Sequence, residues 1–248
     1  MELYDMLAGH YDAVTGDPVT EVTFIDDTIR HAHNQATTLL EVACGTGGII
    51  APLASRYQVS GLDISPSMLA VARQKLPERT PLYLADMRRF KLGVSFDVIL
   101  CVYHGINHLL DFPAWENFFD CAYEHLNYGG LLTFDILTVR NLEMMTRIPK
   151  VVQRFDDNYL VMRVGTNDQV MFEWNIEVFE LQRSGLYKLL TEVIPTASFP
   201  LERIRKALRK RFANVETIET DGGGVDEDSQ SRIWFVCAKQ GGSRASPR

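Results

Sequence analysis

Leu39-Leu40-Glu41-Val42-Ala43-Cys44-Gly45-Thr46-Gly47-Gly48-Ile49-Ile50 is the stretch that decides how the rest of the chain is read. A β-type apolar run meets a glycine turn, and an apolar helical pattern follows. Strand, tight turn and helix in that order make a small-molecule binding element. The glycines remove the Cβ atoms that would hold a ligand off the backbone. Glu41 places a charge at the end of an otherwise apolar strand, where it is costly without a partner. The pattern is not G-x-G-x-x-G, because Ile50 stands where the third glycine would be, and no Gly-Lys-Ser or Gly-Lys-Thr follows to make a P-loop. An ordinary strand-to-helix turn looks the same in isolation, so the neighbouring segments decide.

Working outward, Phe24, Ile25, Thr28 and Ile29 recur at helical spacing within 20–34, with Asp26 and Asp27 expected to face away. Ahead of them, Leu3, Leu7, Tyr11 and Val14 fit a short helix that could fold over a ligand. Strand Thr38–Ala43 is followed by turn and helix over Gly45–Tyr57, then strand Val59–Asp63 and a helix with Ser65 as N-cap and Pro66 at its first position. Leu82–Leu84 and Phe96–Tyr103 read as strands, Phe112–Leu126 as a helix ended by Asn127–Gly130, and Leu131–Ile136 as the fifth strand. Apolar strands alternating with helices imply a parallel sheet covered on both sides.

From Val151 the period changes. Val151–Phe155, Tyr159–Val164, Val170–Leu181 and Leu186–Glu192 are separated by turn formers at Asp156-Asp157-Asn158, Thr166-Asn167-Asp168 and Arg183-Ser184-Gly185. This predicts an antiparallel meander of three or four strands. Pro195–Pro200 reads as a connection and Leu201–Phe212 as a helix. Val215–Thr220 and Ile233–Lys239 read as final strands around the loop Asp221–Gln230. The expected organisation is an N-terminal and cofactor-binding part over 1–147, an insertion over 148–198, the end of the core over 199–240 and a disordered tail over 241–248.

Composition bounds the function. The 248 residues are 46% apolar, enough for a full core, and the formal net charge of −7 argues against a nucleic-acid or membrane-surface partner. Cys44, Cys101, Cys121 and Cys237 show no close pairing, and Cys44 and Cys101, at predicted buried strand ends, read as reduced core residues. Asp5 interrupts the N-terminus early and no apolar run reaches 18 residues, so the expectation is a soluble cytoplasmic protein.

Acids close the strands behind the glycine turn. Asp63, 18 residues after Gly45, has two oxygens that match the vicinal hydroxyls of a ribose. Asp86, at the end of the third strand beside Met87, can accept from an adenine amino group while the apolar neighbour covers the ring. Glu41 would meet a positive charge. Together they describe a site for a nucleoside with a charged amino-acid tail; a helix or turn cap is the plainer role for either aspartate.

At this point the chain resembles a known family. Glu41–Gly48, Gly61-Leu62-Asp63-Ile64-Ser65-Pro66-Ser67-Met68-Leu69, Ala85-Asp86-Met87, Phe96–Cys101 and Asn127-Tyr128-Gly129-Gly130-Leu131-Leu132 are similar, in order, to the motifs of class I S-adenosylmethionine-dependent methyltransferases. The resemblance implies an α/β fold: a Rossmann-like, seven-stranded, mostly parallel sheet with helices on both faces, plus an antiparallel β-meander insertion. It implies S-adenosyl-L-methionine as cofactor. The backbone of Ala43, Cys44 and Gly45 would hold the methionine part, Asp63 the ribose, Ile64 and Met68 the flanks of adenine, and Asp86 and Met87 its amino group and face. Val102 and Tyr103 would lie near the sulfonium. Tyr11-Asp12 sits where the subtype carries a Tyr-Asp pair that closes over the cofactor, and Tyr4-Asp5 is a competing match. The subtype is that of small-molecule, amino-sugar N-methyltransferase-like enzymes whose insertion roofs the pocket or joins two subunits as a homodimer.

The acceptor is expected beyond strand four, in the run Tyr103-His104-Gly105-Ile106-Asn107-His108. His104, then His108, is the candidate to take a proton as the methyl moves, because an imidazole titrates near neutrality. Orientation without a base is the alternative. Tyr4, Asn107 and, in the insertion, Tyr159, Arg163, Phe172 and Trp174 are the candidate substrate contacts. Phe172 and Trp174 share a face by alternation. Arg163 would pair with a carboxylate or phosphate, or stand as a surface charge. No metal is expected, since no H-E-x-x-H or cysteine cluster accompanies the histidines. Three rival readings remain. A tRNA or other nucleic-acid methyltransferase would use the basic Arg203, Arg205, Lys206, Arg209, Lys210 and Arg211, although no Asn-Pro-Pro-Tyr-type motif follows strand four. The others are a non-catalytic protein that binds S-adenosylmethionine, and an NAD-dependent oxidoreductase.

Overall fold

Leu39 and Leu40 are fully buried and belong to the cores on opposite faces of one sheet, which is what an interior parallel strand requires. The computed structural model describes residues 4–166, 171–219 and 232–241. The elements run α1 (Tyr11–Thr15), α2 (Val19–Ala32), β1 (Thr38–Val42), α3 (Ile50–Leu53), β2 (Gln58–Asp63), α4 (Pro66–Lys75), β3 (Leu82–Leu84) and β4 (Phe96–Cys101). A 3-10 turn over Gly105–His108 leads to α5 (Phe112–His125), β5 (Leu126–Leu137) and α6 (Val139–Thr146). Then come β6 (Val151–Phe155), β7 (Asn158–Thr166), β8 (Met171–Leu181), β9 (Tyr187–Ala197), α7 (Leu201–Arg209), β10 (Asn214–Glu219) and β11 (Arg232–Ala238).

The seven-stranded sheet has the order β3-β2-β1-β4-β5-β11-β10. Its neighbours are parallel from β3 to β5, and β11 runs antiparallel to both β5 and β10. The order reverses between β1 and β4, so a crevice opens at the C-terminal ends of these two strands. Trp115, Phe118 and Phe119 of α5 fill one face, and Ile25 and Ile29 of α2 the other. The second sheet, β6-β7-β8-β9, is antiparallel throughout. Its inner face packs Leu160, Ile176 and Ile194 against Leu7 of the N-terminal segment.

Several boundaries differ from the sequence reading, each for a local reason. The N-terminal segment forms turns before α1 and only then a helix. Asp26 does not face away: it accepts from Tyr57 Oη at 2.8 Å and pairs with Arg56 at 3.0 Å. The helix after the glycine turn is a single turn, and Pro52 inside it has no N–H to extend the ladder. Strand β4 stops at Cys101 because Tyr103 and His104 turn into left-handed conformations, φ +54° and +61°. Asn127–Gly130 belongs to β5, where the ladder shifts between the Phe96 and Val98 pairings as at a bulge. Pro195 lies inside β9 opposite Glu173, which an edge strand tolerates. Helix α6 was not anticipated; Thr138 caps it, its hydroxyl accepting from Asn141 N at 3.1 Å. Helix α7 ends before Phe212, which is buried all the same. The predicted turn at Asn167-Asp168, the loop Asp221–Gln230 and the tail after Gly241 lie outside the described residues.

Candidate active site

A cavity lies beyond the ends of β1, β2 and β4. Ala43, Cys44 and Gly45 form one wall, Asp63, Ile64 and Met68 another, and Met87, Val102 and Tyr103 a third. Ala43 and Gly45 take left-handed conformations, φ +56° and +51°, which turn the chain sharply out of β1. Asp63 braces this turn: Gly45 N donates to its Oδ2 at 2.8 Å and Ser65 N to its Oδ1 at 2.9 Å. Burial pushes the Asp63 carboxyl up, and those N–H groups work against the rise. Glu41 also lines the cavity, is 2% exposed, and leaves Oε2 without a hydrogen-bond partner. Burial raises its pKa well above the usual carboxylate range and the nearby Asp63 adds to the rise. An unpartnered acid at the root of a glycine turn suits a ligand ammonium group.

The N-terminal segment covers this cavity. Thr46 Oγ1 donates to Asp12 Oδ1 at 2.6 Å, and Lys75 of α4 pairs with the other Asp12 oxygen. Ser65 Oγ donates to Asp5 Oδ1 at 2.7 Å. Both candidate Tyr-Asp pairs therefore sit over the same place: Tyr4 and Tyr11 line the cavity and meet edge to face at 5.8 Å.

A second cavity adjoins the first and shares Tyr4, Tyr11, Thr15, Tyr103 and His108 with it. Its other walls come from His104, Asn107 and the inner face of the meander. His104 Nδ1 stands 2.7 Å from Asp135 Oδ2, and Arg232 Nε donates to that same oxygen at 2.8 Å. Burial acts to raise the pKa of Asp135, but His104 and Arg232 outweigh it and hold the carboxyl low. His108 accepts from Tyr4 Oη at 3.1 Å through Nε2, while its Nδ1 lies 3.5 Å from the Pro195 carbonyl. Burial pushes the pKa of His108 down to about 4, so the ring is neutral at pH 7.

Not every expected residue reaches a cavity. Asp86 holds Arg88 through both oxygens, at 2.6–3.0 Å, and does not line the first cavity; the Arg88 contact lowers its pKa. Asn107 lines the second cavity but is committed to backbone. Its Nδ2 donates to Leu137 O and Ala197 O, and its Oδ1 accepts from Leu137 N. In β7 the expected parity is reversed. Tyr159 and Arg163 are exposed on the outer face, where Tyr159 meets Tyr187, while Leu160 and Met162 face the cavity. Phe172 packs into a core with Leu142 and Val164, and Trp174 lines the cavity. Asp135, Thr196, Leu160, Met162 and Ile176 were missed. The apolar triplet Leu160, Met162 and Val164 and the lone acid of Thr133-Phe134-Asp135-Ile136 were the available signals. Among the described residues no three His, Cys, Asp or Glu side chains gather as a metal site.

Known proteins resemble both the core and the whole. A methyltransferase-domain family model matches residues 39–130. The dTDP-3-amino-3,4,6-trideoxy-alpha-D-glucopyranose N,N-dimethyltransferase of Streptomyces venezuelae is 32% identical over 120 residues, 48% of this chain and 50% of that one. The chain thus spans about half the length of this relative. The structure of an S-adenosylmethionine-dependent methyltransferase from Clostridium acetobutylicum matches in fold with a TM-score of 0.82 at 22% identity, over 97% of this chain and 100% of that chain. That of an amino pentose methyltransferase from Micromonospora echinaspora, solved with S-adenosylmethionine bound, has a TM-score of 0.75 and 26% identity over 97% and 98%. With this sheet order, this matched core and a four-stranded antiparallel insertion, the chain has a methyltransferase-domain core over 39–130 and resembles, in fold and in sequence, the class I S-adenosylmethionine-dependent methyltransferases and among them the sugar N-methyltransferases.

Proposed function

We propose that the protein transfers the methyl group of S-adenosylmethionine to a nitrogen or oxygen of a small metabolite, which is oriented by the loop after β4. The observation that carries this reading is the junction of the two cavities at Tyr11 and Tyr103, with the unpartnered Glu41 on one side and His104 on the other. The residues present fit the cofactor. Glu41 holds the ammonium group, the left-handed turn at Ala43–Gly45 brings backbone close to the methionine part, Asp63 accepts from the ribose hydroxyls, and Ile64, Met68 and Met87 enclose the adenine. When bound, the cofactor supplies a sulfonium-activated methyl group. Tyr4 and Tyr11 cover the site and exclude water. The acceptor lone pair forms the new bond to the methyl carbon as the carbon–sulfur bond breaks, and S-adenosylhomocysteine leaves. Asp135 engages Nδ1 of His104, so Nε2 is the ring atom that takes up the acceptor proton. His108, neutral and bonded to Tyr4, acts as a positioning residue.

The meander's outer face, with Tyr187, Leu189 and Val193 exposed, is where two copies would pair. The basic helix α7 gives little support to a nucleic-acid substrate. Arg205 pairs with Glu202, Lys210 with Glu116 and Arg211 with Asp120, and Arg203 lies 4.0 Å from the Phe112 ring centroid. No helix among the described residues is long and apolar enough to cross a membrane. The test is titration calorimetry with S-adenosylhomocysteine, paired with an assay of S-adenosylhomocysteine formation over a metabolite panel. Absence of cofactor binding refutes the reading. Loss of turnover in His104→Ala with cofactor affinity intact supports the role of His104, and retained turnover removes it.

A further inference from the structure

The side chains lining the second cavity include no Lys, Arg, Asp or Glu. Arg163, the cation expected to meet a carboxylate or phosphate, is on the far side of β7. A pyrophosphate or carboxylate buried here would find no Lys or Arg among the described lining residues, which disfavours it. The meander side of the cavity is apolar at Leu160, Met162, Trp174 and Ile176, while tyrosines and the two histidines bring uncharged polar groups to the opposite side. On the meander side Thr196 adds a hydroxyl. Thr196, on β9, is 1% exposed and lines the cavity, and its Oγ1 has no hydrogen-bond partner. A buried hydroxyl with no partner is costly, and a ligand oxygen or nitrogen would satisfy it.

We propose that the second cavity takes an uncharged acceptor, a small aromatic amine, phenol or alicyclic alcohol. A polar substituent other than the nucleophile bonds Thr196 Oγ1. The acceptor is then not a nucleotide-linked sugar of the kind named for the Streptomyces venezuelae relative. Trp174 supplies the flat wall and Thr196 sets the register of the ring, which leaves the nucleophile toward His104 and the junction with the first cavity. This rests on the methyl-transfer reading for its chemistry, while the cavity's preference for neutral ligands stands on the walls alone.

The test uses p-cresol and toluene, which differ by one hydroxyl, titrated into the full chain with and without saturating S-adenosylhomocysteine and followed by saturation-transfer NMR. The expected result is that p-cresol binds roughly fivefold tighter than toluene, the worth of one hydrogen bond. Thr196→Val should reduce the difference to within about twofold, and Thr196→Ser should restore it. Trp174→Ala should weaken both probes. Failure of either probe to bind, equal binding in the wild type, or a preference that survives in Thr196→Val overturns the inference. Binding of dTDP-3-amino-3,4,6-trideoxyglucose to the cofactor-loaded protein as tightly as p-cresol, or its methylation, overturns the acceptor class but leaves methyl transfer standing. Probe binding with no S-adenosylhomocysteine binding supports the neutral cavity and refutes methyl transfer.

Discussion

Glu41→Gln should make the ligand-free protein more stable and the cofactor complex weaker. The Glu41 carboxylate is buried, with Oε2 unpartnered and only an Ile50 N–H working against the desolvation that raises its pKa. A buried charged acceptor left unsatisfied costs about 1–3 kcal/mol or more. Gln keeps the shape and removes the charge, so a gain of about 1–2 kcal/mol is expected, which is roughly 2–8 °C in Tm for a chain of this size. The pH dependence follows the same logic. The folded pKa lies above the ordinary 4.5, so ligand-free stability is fullest below that value and declines as pH rises toward the raised one. Glu41→Gln lacks this decline. Binding moves the other way. Losing a charge-assisted hydrogen bond to the ligand ammonium costs about 1.5–3 kcal/mol, or roughly 10- to 150-fold in Kd for S-adenosylhomocysteine. Thermal melts from pH 5 to 8 and titration calorimetry read the two effects separately. A variant that binds as tightly as wild type, or that melts lower without ligand, refutes the assignment of Glu41 as the ammonium partner.

Asn107→Ala should cost about 2–4 kcal/mol in urea unfolding, because it removes the side-chain partner of Leu137 N and Ala197 O in a fully buried site, while Leu137 O keeps the Ser198 hydroxyl as donor; a loss under about 1 kcal/mol would show that the strap is dispensable. His108 has an ordinary value of 6.5 and a folded value of about 4, so its contribution is present above pH 6.5 and lost as pH falls toward 4. That contribution is roughly 3 kcal/mol, and acid melts of His108→Asn should lack that slope. Asp135→Asn should lower kcat by about 10²-fold and shift the pH–rate profile while S-adenosylhomocysteine affinity stays near wild type; equal losses in both would make Asp135 purely structural. A Cβ on Gly61 would lie 2.8 Å from Cys44 Sγ and from Leu82 Cδ2, so Gly61→Ala should destabilise by about 1–3 kcal/mol in the same unfolding assay.

The parallel half of the fold was legible because its punctuation is chemical. Ser65 and Pro66 cap α4 as read, the glycine turn follows β1, and the Leu82–Leu84 strand needed no correction. The errors came where one conformation depends on distant partners. The strand parity of β7 cannot be settled by Tyr159 and Arg163 alone, since an aromatic and a long cation suit either face of a half-buried sheet. Only the packing of Leu160 against Leu7 fixes it. Asn107 looks like a ligand group in sequence because an amide has the same donors and acceptor whether it faces a substrate or two strands. Pro195 suggested a break, and nothing local says that β9 is an edge.

Charge is divided between the two cavities, and that division explains what sequence could and could not find. Glu41 and Asp63 stand out in apolar strands, and Asp12 in an aromatic segment, so the donor side announces itself by residues that would be costly without a purpose. All three line the first cavity. The meander wall of the second cavity is built mostly from Leu, Met, Ile and Trp, the same residues that build the core, and only contact geometry separates a wall from a packed interior. Thr196 shows the limit: a threonine near the end of a strand is unremarkable in sequence, and its lack of a partner is visible only once β9 lies against the loop after β4. Recognition of the donor by charge tolerates drift in apolar positions. Recognition of the acceptor by shape does not, so on the proposed reading a change at Leu160, Met162 or Trp174 would alter which acceptor fits while leaving the donor side intact.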